Sequence, residues 1–246
     1  MTVHPVIEAA ARLLGEVRER RPKVHCLTNS VVQKFTADGL SALGAVPSMT
    51  SSLDEVADFA RQADALLVNL GTLDPGRREA IMLGLDTFET TGRPWALDPV
   101  HCELSPLRLA FARQLLARGP AVTRGNAKEI AVLGEAPPGT IVIQTGASDL
   151  VRLAGRELAI RNGHPLMAAV TGTGCLSGAL IASFLALGQD RLTGAASALL
   201  FLGVAAEIAA ETARGPGTFA AALLDAVANA TPADVMERGR VDDGAA

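Results

Sequence analysis

An α/β fold with a mostly parallel central sheet flanked by helices is the architecture that this amino-acid sequence predicts. Apolar segments of strand length alternate with segments of helical periodicity along most of the chain, which is the pattern of β-α-β units. Polar and turn-forming residues follow most of the predicted strands, at the edge where parallel sheets bind ligands. The 246 residues are 49% hydrophobic, enough for one core. We expect a single domain over residues 1–246, with a loose tail from about residue 239.

The first half of the chain alternates between predicted helices and strands. The strands cover residues 23–27, 45–49, 65–70 and 94–97, and the helices cover residues 6–19, 31–43, 53–62, 77–90 and 106–116. Residues 65–70 are apolar except for Asn69, which is typical of a strand buried on both faces. Ser51 or Ser52 is the predicted N-cap of the helix over 53–62.

The second half adds an antiparallel element and a helical end. Strands are predicted over 121–123 and 140–144, a short helix ends at 133, and residues 149–153 and 157–160 form a predicted hairpin. Helices follow over 175–187, 192–213 and 218–228. The apolar stretch 195–210 is rich in alanine and contains Glu207, so it indicates a buried helix and not a membrane span.

Composition excludes several classes of protein. The net charge of −4 argues against a nucleic-acid partner, which requires a basic face. The three cysteines and four histidines show no metal-binding spacing, and an odd, sparse set of cysteines is typical of free thiols in a reducing compartment. With no cleavable signal pattern at the start of the chain, we expect a cytoplasmic protein without membrane contact.

The glycine turn from Thr171 to Cys175 is the most informative motif. Gly172 and Gly174 let the backbone approach a ligand, and the helix that follows directs unpaired N–H groups outward. A phosphate suits such a helix N-terminus, and the same field favours a thiolate at Cys175. The pattern is not a Walker A loop or a nucleophile elbow, and it lacks the third glycine of the dinucleotide fingerprint. A tight turn with a small buried cysteine remains an alternative.

Three charged residues near strand ends complete the components that phosphoryl transfer requires. Arg124 can bind phosphate oxygens, while Asp98 and Glu129 supply the carboxylates that suit Mg²⁺. Each also has a structural explanation. Asp98 before a proline is often a turn former, Arg124 can form a surface ion pair, and Glu129 can lie on a solvated helix face. Their joint placement at strand ends favours the functional interpretation.

Together these motifs resemble the hydroxyethylthiazole kinases of the ribokinase-like superfamily, from about residue 24 to residue 219. The shared segments are 28–32, 36–40, 43–49, 69–73, 97–100, 124–129, 145–146, 162–164, 171–175 and 215–219. The glycine turn ending in Cys175 is specific, because most sugar kinases of the superfamily carry Asp at that position.

The resemblance implies a three-layer ribokinase-like fold, a homotrimer, and Mg²⁺- and ATP-dependent phosphorylation of 4-methyl-5-(2-hydroxyethyl)thiazole in thiamine salvage. It implies that Cys175 lies beside the attacking hydroxyl. Residues carried over for the other subsites are Asn29, Met49 and Gly172 for the thiazole, Arg124, Thr145 and Gly174 for ATP, and Asp98 and Glu129 for the metal.

Two departures from the family pattern leave alternatives open. The segment between Glu129 and Thr145 lacks a helix that the family usually has, and the sequence after Val100 is His101-Cys102-Glu103 in place of small residues. The alternatives are a kinase for another small hydroxyalkyl heterocycle and a weak member that binds without turnover. A cysteine hydrolase would require His164 as the partner of Cys175.

Overall fold

A nine-stranded sheet forms the centre of the protein in the computed structural model, which describes residues 3–188 and 190–244. The strands are β1 (Lys23–Leu27), β2 (Val46–Ser48), β3 (Ala65–Asn69), β4 (Trp95–Asp98), β5 (Val122–Asn126), β6 (Ile141–Thr145), β7 (Asp149–Leu153), β8 (Arg156–Ile160) and β9 (Val241–Asp243). Their spatial order is β2-β1-β3-β4-β5-β6-β7-β8-β9. The pairs from β2 to β6 are parallel, and the pairs from β6 to β9 are antiparallel.

Helices cover both faces of this sheet. They are α1 (Pro5–Arg20), α2 (Gln33–Leu43), α3 (Val56–Gln62), α4 (Pro75–Glu89), α5 (Pro106–Leu116), α6 (Ala127–Leu133), α7 (Leu166–Ala169), α8 (Thr173–Leu185), α9 (Arg191–Thr212), α10 (Pro216–Asn229) and α11 (Pro232–Arg238), with a 3₁₀ turn at Cys102–Leu104. Local chemistry sets several starts: Pro75 and Pro106 occupy first turns, and Asp74 and Ser105 accept the N–H groups of Arg77 and Arg108.

The sheet divides the core into two layers of side chains. Along β3, Ala65 and Leu67 pack with α1, α2, α8, α9 and α10, whereas Leu66 and Val68 pack with α3, α4 and α5. This alternation is the two-residue period of a strand, so an apolar run buries both faces. The three-layer arrangement confirms the predicted fold class.

Helix α9 is the one element, among the residues described, that is long and apolar enough to cross a membrane. Within its most apolar window, 83% of the residues are buried inside the protein. It packs between α1, α8 and α10. The prediction of a buried helix in this region is confirmed.

The structure differs from the predicted elements in several places, and three of these have a clear physical reason. Helix α3 begins only at Val56, because a turn in which Ser52 O accepts the N–H groups of Glu55 and Val56 precedes it, and neither predicted serine caps the helix. Strand β5 is longer than predicted and extends to Asn126, because it pairs with the whole of β6. The tail beyond residue 239, expected to be loose, instead contributes β9 as the edge strand beside β8.

Candidate active site

The carboxyl ends of the parallel strands bring the polar residues together, as the alternation of elements predicts. Asn69 at the end of β3 is paired in register with Asp98 at the end of β4. At the next pair of strands, Asn126 is in register with Thr145. Asn29 follows β1, so all of these side chains lie along one edge of the sheet.

The glycine turn brings the start of α8 to this edge. Gly172 is the N-cap and has a φ of 106°, a left-handed conformation that favours glycine. A Cβ on Gly172 would lie 3.0 Å from Val32 and 3.1 Å from Phe35, so the turn packs closely against the segment that follows Asn29. Thr173 Oγ donates to Met167 O at 2.7 Å and closes the turn. Cys175 therefore lies in the first turn of α8, where it is 8% exposed.

Cys175 lies within a buried network of amide and carboxylate groups. Asn29 Nδ2 and Asn69 Nδ2 each donate to Cys175 Sγ at 3.3 Å. Asn69 Nδ2 also donates to Asp98 Oδ2 at 2.9 Å. Asn69 and Asp98 are fully buried, and Asn29 is nearly so. The structure thus joins the thiol, the carboxylate and the Asn29 amide, whose positions in the sequence lie far apart.

Burial determines the protonation of the two reactive groups. Burial and then the Asp98 carboxylate raise the pKa of the Cys175 thiol to about 11, although Arg124 and the two asparagines oppose this. Desolvation also raises the pKa of Asp98 to about 6, against the opposing effect of Arg124. Desolvation and a nearby negative charge outweigh the helix field that was expected to favour a thiolate, so the raised pKa of Cys175 keeps the group a thiol at neutral pH.

Arg124 joins this network to a cleft of about 600 Å³. Its Nη1 lies 3.4 Å from Asp98 Oδ2. Arg124 thus forms a buried ion pair with Asp98, and not the surface ion pair that was the structural alternative. The three residues carried over for ATP, Arg124, Thr145 and Gly174, all line the cleft. Thr145 Oγ donates to Gly125 O at 3.3 Å, across the paired strands. The volume lies within the range of small-ligand sites.

Glu129 is buried and holds two backbone segments together. Its Oε2 accepts from Asn126 N at 2.7 Å, as part of a capping box at the start of α6. Its Oε1 accepts from His101 N at 2.8 Å. With only 5% of its surface exposed, Glu129 does not lie on a solvated helix face. The carboxylate is fixed in place beside the loop that departs from the family pattern.

That loop adds two possible ligands next to Glu129. One donor atom each from His101, Glu103 and Glu129 lie within 4.8 Å of one another. His101 Nδ1 is 3.9 Å from Glu103 Oε1, and the other Glu103 oxygen is buried without a hydrogen-bond partner. Imidazole and carboxylate groups in this arrangement suit a divalent cation. The interpretation of residues 101–105 as a plain surface loop does not account for the Glu103 side chain, which is only 15% exposed and has one buried oxygen without a partner.

Met49 and His164 lie apart from the hydrogen-bond network. Met49 follows β2 and is half-buried against the core beside β1. His164 Nδ1 accepts from Leu166 N at 3.2 Å, and its ring lies 6.1 Å from that of Phe219. Because Cys175 has asparagines as its partners, the geometry does not support the cysteine-hydrolase alternative.

A larger open groove of about 960 Å³ lies at the opposite end of β6. It is lined by the 135–140 segment, where the chain is shortened, and by the β7–β8 turn. None of the predicted site residues lines it. The shortened segment therefore borders this groove and not the 600 Å³ cleft. The lining of that cleft includes Arg124, Asn126 and Thr145 but no residue of the 135–140 segment.

Asn69 is the site residue whose role the sequence did not predict. Asn69 lies in segment 69–73, which resembles the family, but its position at the end of an apolar strand did not indicate what the side chain does. A polar residue closing a fully buried strand was the available signal, because a buried amide requires partners.

The fold and the site define a ribokinase-like α/β protein with a glycine turn at the N-terminus of α8. A ribokinase-like superfamily protein from Enterococcus faecalis V583 has the same fold, with a TM-score of 0.64 at 16% identity, over 90% of this chain and 95% of that one. The chain belongs to the hydroxyethylthiazole kinase family, which it matches over residues 14–138 and 135–232.

Relatives in this family are similar over nearly their whole length. A probable hydroxyethylthiazole kinase from Agrobacterium fabrum is 51% identical over 97% of this chain and 96% of its own. A hydroxyethylthiazole kinase from Cronobacter sakazakii is 41% identical over 88% and 91%. The structure of a hydroxyethylthiazole kinase from Pyrococcus horikoshii OT3 has a TM-score of 0.91 at 35% identity, over 97% of this chain and 100% of that one.

Proposed function

We propose that this protein transfers the γ-phosphoryl group of ATP to the hydroxyl of 4-methyl-5-(2-hydroxyethyl)thiazole, a step of thiamine salvage. The observation that carries the proposal is the convergence of Cys175, Asp98 and Arg124 at the glycine turn, next to a ligand-sized cleft. The names of the relatives supply the substrate. Such a reaction depends on positioning and charge neutralisation more than on a strong base.

The nucleotide is proposed to lie in the 600 Å³ cleft. Arg124 and Thr145 lie on its wall with the backbone of Gly174, at the N-terminus of α8. The guanidinium can bind phosphate oxygens in a bidentate manner, and the free N–H groups of the first helical turn provide the remaining donors. The cleft wall continues to Asn162 and His164, which would border the base and sugar.

The thiazole alcohol is proposed to lie on the other side of Cys175, against Asn29, Met49 and Gly172. Asn29 is oriented by its contact with Cys175 Sγ and by the acceptance of Val32 N at its Oδ1. The Met49 thioether is suited to packing on a flat ring. Since Cys175 is a neutral thiol, its role is to hold the attacking hydroxyl as a hydrogen-bond partner, which the loose transition state permits.

Asp98 and Glu129 are the residues proposed to hold Mg²⁺. Asp98 Oδ1 is buried without a hydrogen-bond partner, and a buried oxygen of that kind suits a cation or its bound water. Glu129 and Asp98 are close enough that Glu129 adds to the raised pKa of Asp98. When bound, Mg²⁺ supplies charge neutralisation of the phosphates.

We further propose a cytoplasmic homotrimer, made of one kinase domain per chain and without nucleic-acid or membrane partners. The continuous nine-stranded sheet supports one domain. Val31, between β1 and α2, and Leu104, at the end of the 3₁₀ turn beside Glu103, are 71% and 74% exposed. Exposed apolar side chains of this kind support a subunit contact beside the site. Light scattering on the purified protein measures the mass of the assembly.

A coupled assay for ADP release tests the activity. Purified protein, Mg·ATP and hydroxyethylthiazole are compared with the Cys175→Ala variant and with a panel of related alcohols. Turnover that depends on the thiazole supports the proposal. Turnover with another heterocycle, and none with the thiazole, would favour a kinase for another small hydroxyalkyl heterocycle. The altered His101–Glu103 loop is the reason for considering that alternative. Binding of thiazole and nucleotide with no turnover would indicate a non-catalytic member.

A further inference from the structure

Asn69 contacts both groups that the reaction requires at the sheet edge. Its amide nitrogen donates to Asp98 Oδ2 at 2.9 Å and to Cys175 Sγ at 3.3 Å. The side chain is fully buried at the end of β3, in register with Asp98. One amide therefore spans the carboxylate and the thiol.

The backbone fixes which end of this amide points at the two groups. Asn69 Oδ1 accepts from Gly71 N at 3.0 Å and from Asn29 Nδ2 at 3.3 Å. Because N–H groups only donate, the atom that faces Gly71 is the oxygen, and the NH₂ group must face Asp98 and Cys175. The position of Gly71 beside Asn69 and Asn29 requires a glycine, since a Cβ on Gly71 would lie 2.7 Å from Asn29 Cβ.

The alternative partners of these atoms are few. Cys175 Sγ receives hydrogen bonds from Asn29 and Asn69, and Asp98 Oδ2 receives one from Asn69 and one from Arg124. Removal of the Asn69 donor would leave the carboxylate oxygen with Arg124, at the longer distance of 3.4 Å. Asp98 and the Cys175 thiol would then no longer share the hydrogen-bond donor that fixes their relative positions.

We propose that Asn69 is a positioning residue of the phosphoryl transfer, which holds the Asp98 carboxylate and the Cys175 thiol in a fixed relation on either side of the acceptor hydroxyl. The inference rests on the proposed kinase function. In a reaction governed by placement of reactants, a small displacement of such groups lowers the rate far more than it weakens binding. Asn69 acts through its two neighbours and has no assigned contact with either substrate.

The primary test is Asn69→Asp, which keeps the size of the side chain and the oxygen that Gly71 contacts. We expect kcat to fall about 10²-fold, while KM for the alcohol and for ATP changes little. Asn69→Ser is a second variant, since it introduces no buried charge and should fold even if Asn69→Asp does not. Thr123→Val is the matched control, because it alters a buried polar side chain on β5, two strands away from β3, whose hydroxyl has no hydrogen-bond partner.

A double-mutant cycle with Cys175→Ala separates positioning from a general structural effect. If Asn69 acts through the thiol, Asn69→Ser lowers kcat by a smaller factor in the Cys175→Ala background than in the wild type. Equal factors in both backgrounds, or a kcat in both Asn69 variants equal to that of Thr123→Val, would overturn the proposal. A wild-type protein inactive with every alcohol would instead refute the kinase function itself, and this inference with it.

Discussion

The guanidinium of Arg124 lies directly against Gly174. A Cβ at position 174 would lie 3.0 Å from Arg124 Nη1 and 3.1 Å from Nη2. The second glycine of the turn thus provides the space in which the Arg124 guanidinium, on the wall of the 600 Å³ cleft, lies beside the start of α8. This contact gives Gly174 a role in addition to the proposed close approach of the backbone to phosphate.

Gly174→Ala should displace Arg124 from its position beside Asp98. We expect KM for ATP to rise several-fold with a smaller effect on KM for the alcohol, because a methyl group forces the guanidinium away from the phosphate site. Steady-state kinetics with each substrate varied in turn measures both constants. Gly188→Ala is unsuitable as a control because its φ is 72°, whereas Gly15→Ala in α1 meets no atom within 4 Å. Unchanged kinetics in Gly174→Ala would show that the cleft does not use Arg124.

Cys175→Ala should lower turnover and leave measurable activity, whereas Cys175→Asp should retain or raise it. The residual activity follows because the N–H groups of α8 and Arg124 remain in place. An aspartate can accept the proton of the alcohol, although its position beside Asp98 opposes ionisation. The measurements are kcat and the dissociation constants of both ligands. Complete loss of turnover in both variants, with binding intact, contradicts this role.

Glu129→Gln should raise the Mg²⁺ concentration needed for half-maximal turnover. The substitution removes a negative charge from the proposed metal site, and it places an amide where two backbone N–H groups now meet carboxylate oxygens. We also expect the free energy of unfolding to fall by about 1 kcal/mol, through the weakened cap of α6. A Mg²⁺ titration and urea unfolding measure the two effects. Glu135→Gln, on the loop after α6, is the control.

The buried His25 should make the protein sensitive to mild acid. Burial lowers its pKa to about 4, from the usual 6.5, while its Nδ1 lies 2.8 Å from Ser48 Oγ and its ring stacks on Phe59. As the pH falls, His25 is protonated in the unfolded chain at a higher pH than in the folded protein. The free energy of unfolding is therefore highest above pH 6.5 and decreases by about 3 kcal/mol in all as the pH drops towards 4. Urea unfolding at a series of pH values tests this, and His25→Gln should flatten the dependence in that window.

His101→Gly should stabilise the protein. His101 has a φ of 56°, a left-handed conformation that costs a non-glycine residue about 1 kcal/mol. Glycine adopts it freely and keeps the N–H that Glu129 accepts. The melting temperature should rise by a few degrees. A fall would mean that the imidazole makes stabilising contacts beside Glu103 and Glu129.

Local sequence signals predicted most of the elements closely. Strand β1 and helix α5 have the predicted bounds, because apolar alternation and a proline at the helix start are local features. Strand β9 and the short helix α11 were not predicted. Pairing of β9 with β8 depends on residues more than eighty positions apart, such as Ile160 and Val241. No local pattern contains that partner.

The site residues were identified by type and by resemblance, but their roles depended on packing. Arg124, Thr145 and Gly174 do share one cleft. The protonation of Cys175 could not be predicted from its place in a helical first turn, because the opposing effects come from burial and from Asp98 on another strand. For the same reason the use of both Glu129 oxygens by backbone N–H groups was not visible in the sequence.

The sequence by itself determined most of the succession of strands and helices along the chain, the glycine turn before α8 and the set of polar residues at strand ends, since these depend on short-range periodicity and backbone freedom. The tertiary structure alone decided which of those residues meet. Asn69, Asp98 and Cys175 come from three elements, and the register of β3 with β4 and the packing of α8 on the sheet bring them within hydrogen-bond distance. Burial in that position then sets their charge, because the free energy of an ionised group depends on everything that surrounds it.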